Sequence, residues 1–266
     1  MQVMANGIAT HYTLNGPADA PVVTLSHSLA TTLAMWDPQM AALTARHRVL
    51  RYDTRGHGGT EAPAGAYALD LLAEDAAALL RTLGVARTHW VGLSMGGMIG
   101  QTLALARPDL VASLALCDTS SRVPPEARPT WAERIRTAET RGMEPLVEPT
   151  IGRWFTLGFV ASRQDVVEPV RAMIRGTSPR GYVGCCHAIS TLDLTDRLGA
   201  IRVPTIVIVG EEDQGTPVAA SRAIQERIPG AELVVLKSAA HLSNVEQPAA
   251  FTSALVGFLE RAAAGG

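Results

Sequence analysis

The chain has 266 residues, with 23 Lys and Arg against 25 Asp and Glu, a net charge of −2. A chain of this length buries roughly three quarters of the surface its unfolded form exposes, so disulfides are not needed to hold a core. Charge of both signs, with no basic stripe and no acidic tail, argues against nucleic acid as a partner.

Residues 22–26, Val22-Val23-Thr24-Leu25-Ser26, form a short apolar run that predicts a strand, and residues 49–52 predict a second. In residues 69–83, Leu69, Leu72, Ala76, Leu79, Leu80 and Leu83 recur at helical spacing, and Gly84 follows as a C-cap. Residues 89–92 predict a strand, 96–107 a helix ending before Pro108, and 111–116 a further strand. The alternation then breaks between about 121 and 199. This stretch carries seven prolines, with Trp131, Trp154 and Phe155, and helix-like patches near 130–141, 143–151, 163–175 and 180–190. Strand patterning resumes over 205–209 and 233–236, and a last helix follows Pro248. Alternating strand and helix implies an α/β fold, a mostly parallel, doubly wound sheet covered on both faces. The expected core spans 1–120 and 200–266, with 121–199 inserted as a helical cap.

Residues 1–10 lack a basic segment leading into an apolar core, so no signal peptide is expected. No stretch approaches the roughly 18 apolar residues of a membrane span, and the expectation is a cytoplasmic protein. Cys117, Cys185 and Cys186 are odd in number, and two are adjacent, so they read as reduced packing thiols.

Gly92-Leu93-Ser94-Met95-Gly96 lies between a strand and a helix pattern, the setting that G-x-S-x-G requires. The turn is tight, the serine backbone is strained, and the flanking glycines let neighbouring backbone approach closely. Ser94 is therefore the candidate nucleophile. A serine hydroxyl needs a base to take its proton. Of seven histidines only His187 and His241 follow Ser94, as the chain order of this fold demands. His187 lies in the expected cap, and His241 follows the last strand, which makes it the candidate base. The acid that orients the imidazole is expected to be Asp213, with Glu211, Glu212 and Asp118 as competitors. Two backbone N–H groups should form the oxyanion hole, those of Leu29 and Met95. His27 reads as a histidine that fixes the first loop, or as a second base. Asp53-Thr54-Arg55-Gly56-His57-Gly58 reads as a loop tied to neighbouring backbone rather than a metal or phosphate site.

Four segments together carry a resemblance: Met35-Trp36-Asp37-Pro38-Gln39-Met40, the run Arg51 to Gly58, the run Gly92 to Gly100, and Ala240-His241-Leu242-Ser243-Asn244-Val245-Glu246-Gln247. They resemble the 3-oxoadipate enol-lactonases, α/β-hydrolases of bacterial aromatic breakdown. Arg153-Trp154-Phe155-Thr156 and the stretch from Gly181-Tyr182 to Cys185-Cys186 extend the likeness into the cap. One departure stands out: the family's Asn-Ser-Leu-Gly run is here His27-Ser28-Leu29-Ala30. The resemblance implies a Ser-His-Asp hydrolase without metal or cofactor, acting on a small anionic lactone. It implies that Trp131 and Arg134 face the substrate carboxylate, with Trp154 beside them. Arg136, Arg141, Arg153, Arg171, Arg175 and Arg180 are alternatives for the anion. The same frame would serve a carboxylesterase, a cofactor-free perhydrolase or another lactonase. It would also serve a ligand receptor, against which a complete Ser94, Asp213 and His241 set counts.

Overall fold

The computed structural model describes residues 1–264. Its strands are β1 (Gln2–Ala5), β2 (Ile8–Asn15), β3 (Val22–Ser26), β4 (Arg48–Tyr52), β5 (Thr88–Leu93), β6 (Val111–Cys117), β7 (Thr205–Gly210) and β8 (Glu232–Leu236). They form one sheet in the order β1-β2-β4-β3-β5-β6-β7-β8. The six strands from β3 onward run parallel, and they match the six apolar runs of the sequence to within one residue at each end. β1 and β2 add an antiparallel edge, joined by a two-residue turn with Asn6 and Gly7 both at positive φ.

The helices are α1 (Asp37–Thr44), α2 (Leu69–Thr82), α3 (Met95–Ala106), α4 (Arg128–Arg141), α5 (Val147–Trp154), α6 (Leu157–Ser162), α7 (Gln164–Gly176), α8 (Pro179–Ser190), α9 (Val218–Arg227), α10 (Ser243–Glu246) and α11 (Pro248–Ala264). α1 packs with α11, and α2 packs with α3, which lies along β3, β5 and β6. Every residue of β5 and β7 is buried, as a sheet covered on both faces requires. Trp36, Trp90, Phe251 and Phe258 are the largest side chains that the core encloses completely.

The five helices α4 to α8 all fall between β6 and β7. Their bounds differ from the sequence patches by a few residues, and α6 adds a short helix no patch marks. The segment's neck is closed by backbone bonds from Val123 N–H to the Leu192 carbonyl (2.9 Å) and from Leu194 N–H to the Ser121 carbonyl (2.7 Å). At its far end α8 meets the loop after β4 backbone to backbone. A Cβ on Gly181 would fall on the Gly56 carbonyl, so that position has room only for glycine.

Two buried histidines bind the loops at the carboxyl end of the sheet to one another. Thr54 N–H donates to His27 Nε2 (2.8 Å), which leaves the His27 proton on Nδ1, facing the Ser28 carbonyl (2.7 Å). Ala30 N–H donates to His57 Nε2 (3.0 Å), and His57 Nδ1 faces the Arg55 carbonyl (3.2 Å). Asp53 completes the tie, accepting from Leu33 N–H (2.8 Å) and Gly59 N–H (2.9 Å). Both rings already receive an N–H, so a second ring proton would point donor at donor. Burial, with His27 close by, pushes the His57 imidazole down to about 3, and burial lowers His27 as well.

The consequence for stability has a definite sign. In the unfolded chain His57 binds a proton below about pH 6.5, while in the fold it stays neutral. The stability is therefore full above that pH and falls as the solution is acidified toward pH 3. His57→Gln should make the unfolding free energy between pH 6 and pH 4 less steep by about 1.4 kcal/mol per pH unit. Urea titrations at several pH values measure it; an unchanged slope would show that His57 titrates normally in the fold.

Candidate active site

Ser94 stands between β5 and α3 with φ 54° and ψ −115°. Two glycines make that turn possible. A Cβ on Gly92 would strike the Gly96 carbonyl, and one on Gly96 would strike the Ser26 carbonyl. The strained backbone is held from the next strand: Ser94 N–H donates to the Cys117 carbonyl (2.8 Å), and Thr119 O–H donates to the Ser94 carbonyl (2.7 Å). Thr119 has no motif to announce it. The Ser94 hydroxyl has no hydrogen-bond partner among the described residues and lines a cavity that His241 also lines.

His241 follows β8, and its Nδ1 lies 2.8 Å from Asp213 Oδ2. That carboxylate is buried and fully used. Thr216 O–H donates to Oδ2 (2.7 Å), while the N–H groups of Gly215 (2.8 Å) and Thr216 (3.0 Å) donate to Oδ1. Burial alone would raise the Asp213 carboxyl. The imidazole and the Thr216 bonds outweigh it and hold Asp213 below the usual carboxylate range. An Nδ1–H pointed at an ionised carboxylate leaves Nε2 of His241 as the basic nitrogen.

The competitors for the acid lie elsewhere. Glu211 and Glu212 are exposed. Asp118, at the end of β6, accepts from Gly210 N–H (2.8 Å) and from Ser243 O–H (2.5 Å), so both its oxygens serve the neighbouring loops. Burial, reinforced by Asp213, pushes the Asp118 carboxyl well up. His187 lies on α8 and lines a separate pocket with Arg180 and Glu139.

Three amides in a row settle what the loop after β3 offers. Ser28 N–H is spent on Met35 Sδ (3.2 Å) and Ala30 N–H on His57. Leu29 N–H, between them, has no acceptor among the described residues, and neither has Met95 N–H at the start of α3. The loop reaches this shape with Ala30 at φ 60°, a conformation glycine adopts more easily.

The cavity has a volume of about 230 Å³. Ser94, His241 and Leu29 belong to its sheet side, and Trp131, Arg134, Arg153, Trp154 and Tyr182 come from the inserted helices. The Trp154 ring stacks at 27° on the His241 imidazole with centroids 6.1 Å apart. Arg134 lies over the Trp131 ring at 4.6 Å. Arg153 donates to Thr150 Oγ1 (3.1 Å), and burial together with Arg134 pushes its guanidinium down to about 10. Among the described residues neither arginine has a carboxylate within 4 Å. Arg136, Arg171 and Arg175 are each paired with a glutamate, and Arg141 and Arg180 do not line the cavity. Sequence reasoning named Arg153 only as one alternative among six, because an unpaired charge is a fact of the tertiary structure.

Comparison with known proteins agrees with this architecture. Residues 21–248 match the family model described as the alpha/beta hydrolase fold. Over 257 residues, 97% of this chain and 95% of the relative, the sequence is 36% identical to 3-oxoadipate enol-lactonase 2 of Acinetobacter baylyi. It is 32% identical over 263 residues, 96% of this chain and 98% of the relative, to RutD of Variovorax paradoxus, which is named as a carbamate hydrolase. The crystal structure of the enol-lactonase from Burkholderia xenovorans superposes with a TM-score of 0.94 at 40% identity, covering 98% of this chain and all of that one. The family match takes in the sheet from just before β3, the Ser94 turn and the helices inserted after β6, and the chain belongs to the α/β-hydrolase family, with 3-oxoadipate enol-lactonases among its relatives.

Proposed function

We propose that the protein is a serine hydrolase that opens a small lactone bearing a carboxylate, with 3-oxoadipate enol-lactone as the substrate. One observation carries the reading. A single cavity joins a serine, a carboxylate-backed histidine and the loop of the free Leu29 amide on one side to two arginines without a carboxylate partner on the other. Residues 121–199 then act as the cap that supplies recognition, and the sheet supplies chemistry. The similarity to enol-lactonases of two organisms supports the choice of ester.

In this reading His241 Nε2 takes the Ser94 proton as the oxygen attacks the lactone carbonyl carbon. Asp213 fixes the tautomer and stabilises the imidazolium. The N–H groups of Leu29 and Met95 hold the oxyanion, a donor pair of which each member is worth on the order of 3 kcal/mol. Collapse breaks the ring C–O bond, and the leaving enol oxygen receives the proton from His241. The enol becomes the ketone by tautomerisation. Water, deprotonated by His241, then cleaves the Ser94 ester and regenerates the serine. Arg134 and Arg153 hold the carboxylate, Trp131 and Trp154 flank it, and a guanidinium fork suits that geometry.

A panel of the enol-lactone, an uncharged lactone, aryl esters and a carbamate tests the reading. Ser94→Ala should lower kcat by on the order of 10⁶. Arg153→Leu should lower kcat/KM for the enol-lactone by roughly 10- to 100-fold, the usual worth of a hydrogen bond to a charge, and barely change it for an uncharged ester. Faster turnover of aryl esters, equally indifferent to Arg153, would make the protein a carboxylesterase. Fastest turnover of the carbamate would place it with RutD.

A further inference from the structure

Glu246 closes the short helix α10, five residues after His241, and is 5% exposed. Its carboxylate joins two parts of the chain. Oε2 accepts from Ala240 N–H (2.8 Å), next to His241. Oε1 accepts from both the N–H (3.0 Å) and the O–H of Thr156, just beyond α5 in the inserted segment. On the other side of His241, Leu242 N–H donates to the Trp154 carbonyl (3.0 Å). The amides flanking His241 are therefore both fastened to residues 154–156, one directly and one through Glu246. The same three residues follow Arg153 and include Trp154, whose ring stacks on the imidazole. Among the described residues no cation lies within 4 Å of the Glu246 carboxylate, so three hydrogen bonds from two segments are what it is placed to make.

We propose that Glu246 is a positioning residue that locks the His241 loop to the inserted helices, so that the base and the anion-binding arginines keep one fixed relation. The inference rests on His241 being the base. A carboxylate suits the task because it accepts all three bonds, and a buried donor left without an acceptor is costly. An amide in its place must turn its NH2 group toward one of the donors.

Glu246→Gln should therefore lower kcat for the enol-lactone by about 10- to 100-fold, the scale of a misplacement of around 1 Å at a reacting group. It should also shift or broaden the low-field proton resonance of the His241–Asp213 bond. Thr156→Val, which removes the O–H donor together with the cap that Thr156 Oγ1 gives Phe159 N–H at the start of α6 (3.3 Å), should lower kcat severalfold, and Thr156→Ser, which keeps both, should restore it. In the double variant Glu246→Gln/Thr156→Val the two losses should not multiply, because both break one link. Wild-type kcat and an unshifted resonance in Glu246→Gln, with a lower Tm as the sole effect, would overturn the proposal. So would multiplying losses, or a Thr156→Val enzyme with full activity, which keeps the test open if Glu246→Gln fails to fold. His241→Ala separates the two levels. Full activity there overturns the base assignment and this inference with it; its loss beside an unimpaired Glu246→Gln overturns this inference alone.

Discussion

The backbone at Ser94 is the constraint on which the rest depends. A non-glycine residue at φ 54° and ψ −115° costs of order 1–3 kcal/mol and persists only where its surroundings over-determine it. Here they do. Gly92 and Gly96 remove the side chains that would block the turn, β6 accepts the Ser94 amide, and Thr119 holds the carbonyl. The gain is that the hydroxyl stands clear of the sheet while the next amide, Met95, begins a helix and stays free. A relaxed turn would satisfy one of these demands and lose the other.

In the loops around Ser94 most buried polar groups have a partner, and the Leu29 amide, which has none, belongs to a residue that lines the cavity. His27 and His57 use both ring nitrogens on backbone, Asp53 takes two amides and His11, and Asp118 takes Gly210 and Ser243. Such accounting is what lets Leu29 stand out, as a single amide without an acceptor between two that have one. Asp118 and Asp213 end neighbouring strands, yet their environments push them apart. Four donors surround Asp213 and keep it ionised, while burial beside another carboxylate pushes Asp118 upward. Only one of the two can hold charge cheaply, and it is the one that faces the histidine.

The parallel strands and the inserted helical segment were legible because apolar runs and helical spacing are local signals. The edge hairpin was not, since β2 is only partly buried and alternates weakly; the Asn6-Gly7 pair is the mark that could have found it. The short α6 has no apolar repeat long enough to register. At the site, Ser94 lies in a motif, and chain order restricts the histidine and the acid. Thr119 and Thr216 carry no motif, and Glu246 lies in the Ala240–Gln247 run with nothing there to mark its role; each matters through a partner 25 to 90 residues away or through a turn of backbone. Ala30 was visible as a departure from glycine, and the structure gives it the positive φ that made glycine the expected residue.

On the proposed reading, Arg153 and Arg134 are what lets the site discriminate. A guanidinium pushed down to about 10 is a cation that its surroundings oppose: burial has removed part of its water, and Arg134 beside it is another cation. On the proposed reading a ligand carboxylate relieves both at once, so the binding energy comes as much from ending an unfavourable state as from the new hydrogen bonds. A neutral ester of the same size would fill the cavity yet displace what water remains around two unpaired charges, and would bind at a penalty. Selectivity of this sort needs no clash against the wrong ligand, only a half-buried charge the wrong ligand leaves unanswered. It also requires that the arginines cannot swing away to solvent, and Trp131 under Arg134 and Thr150 beside Arg153 are the contacts that hold them in.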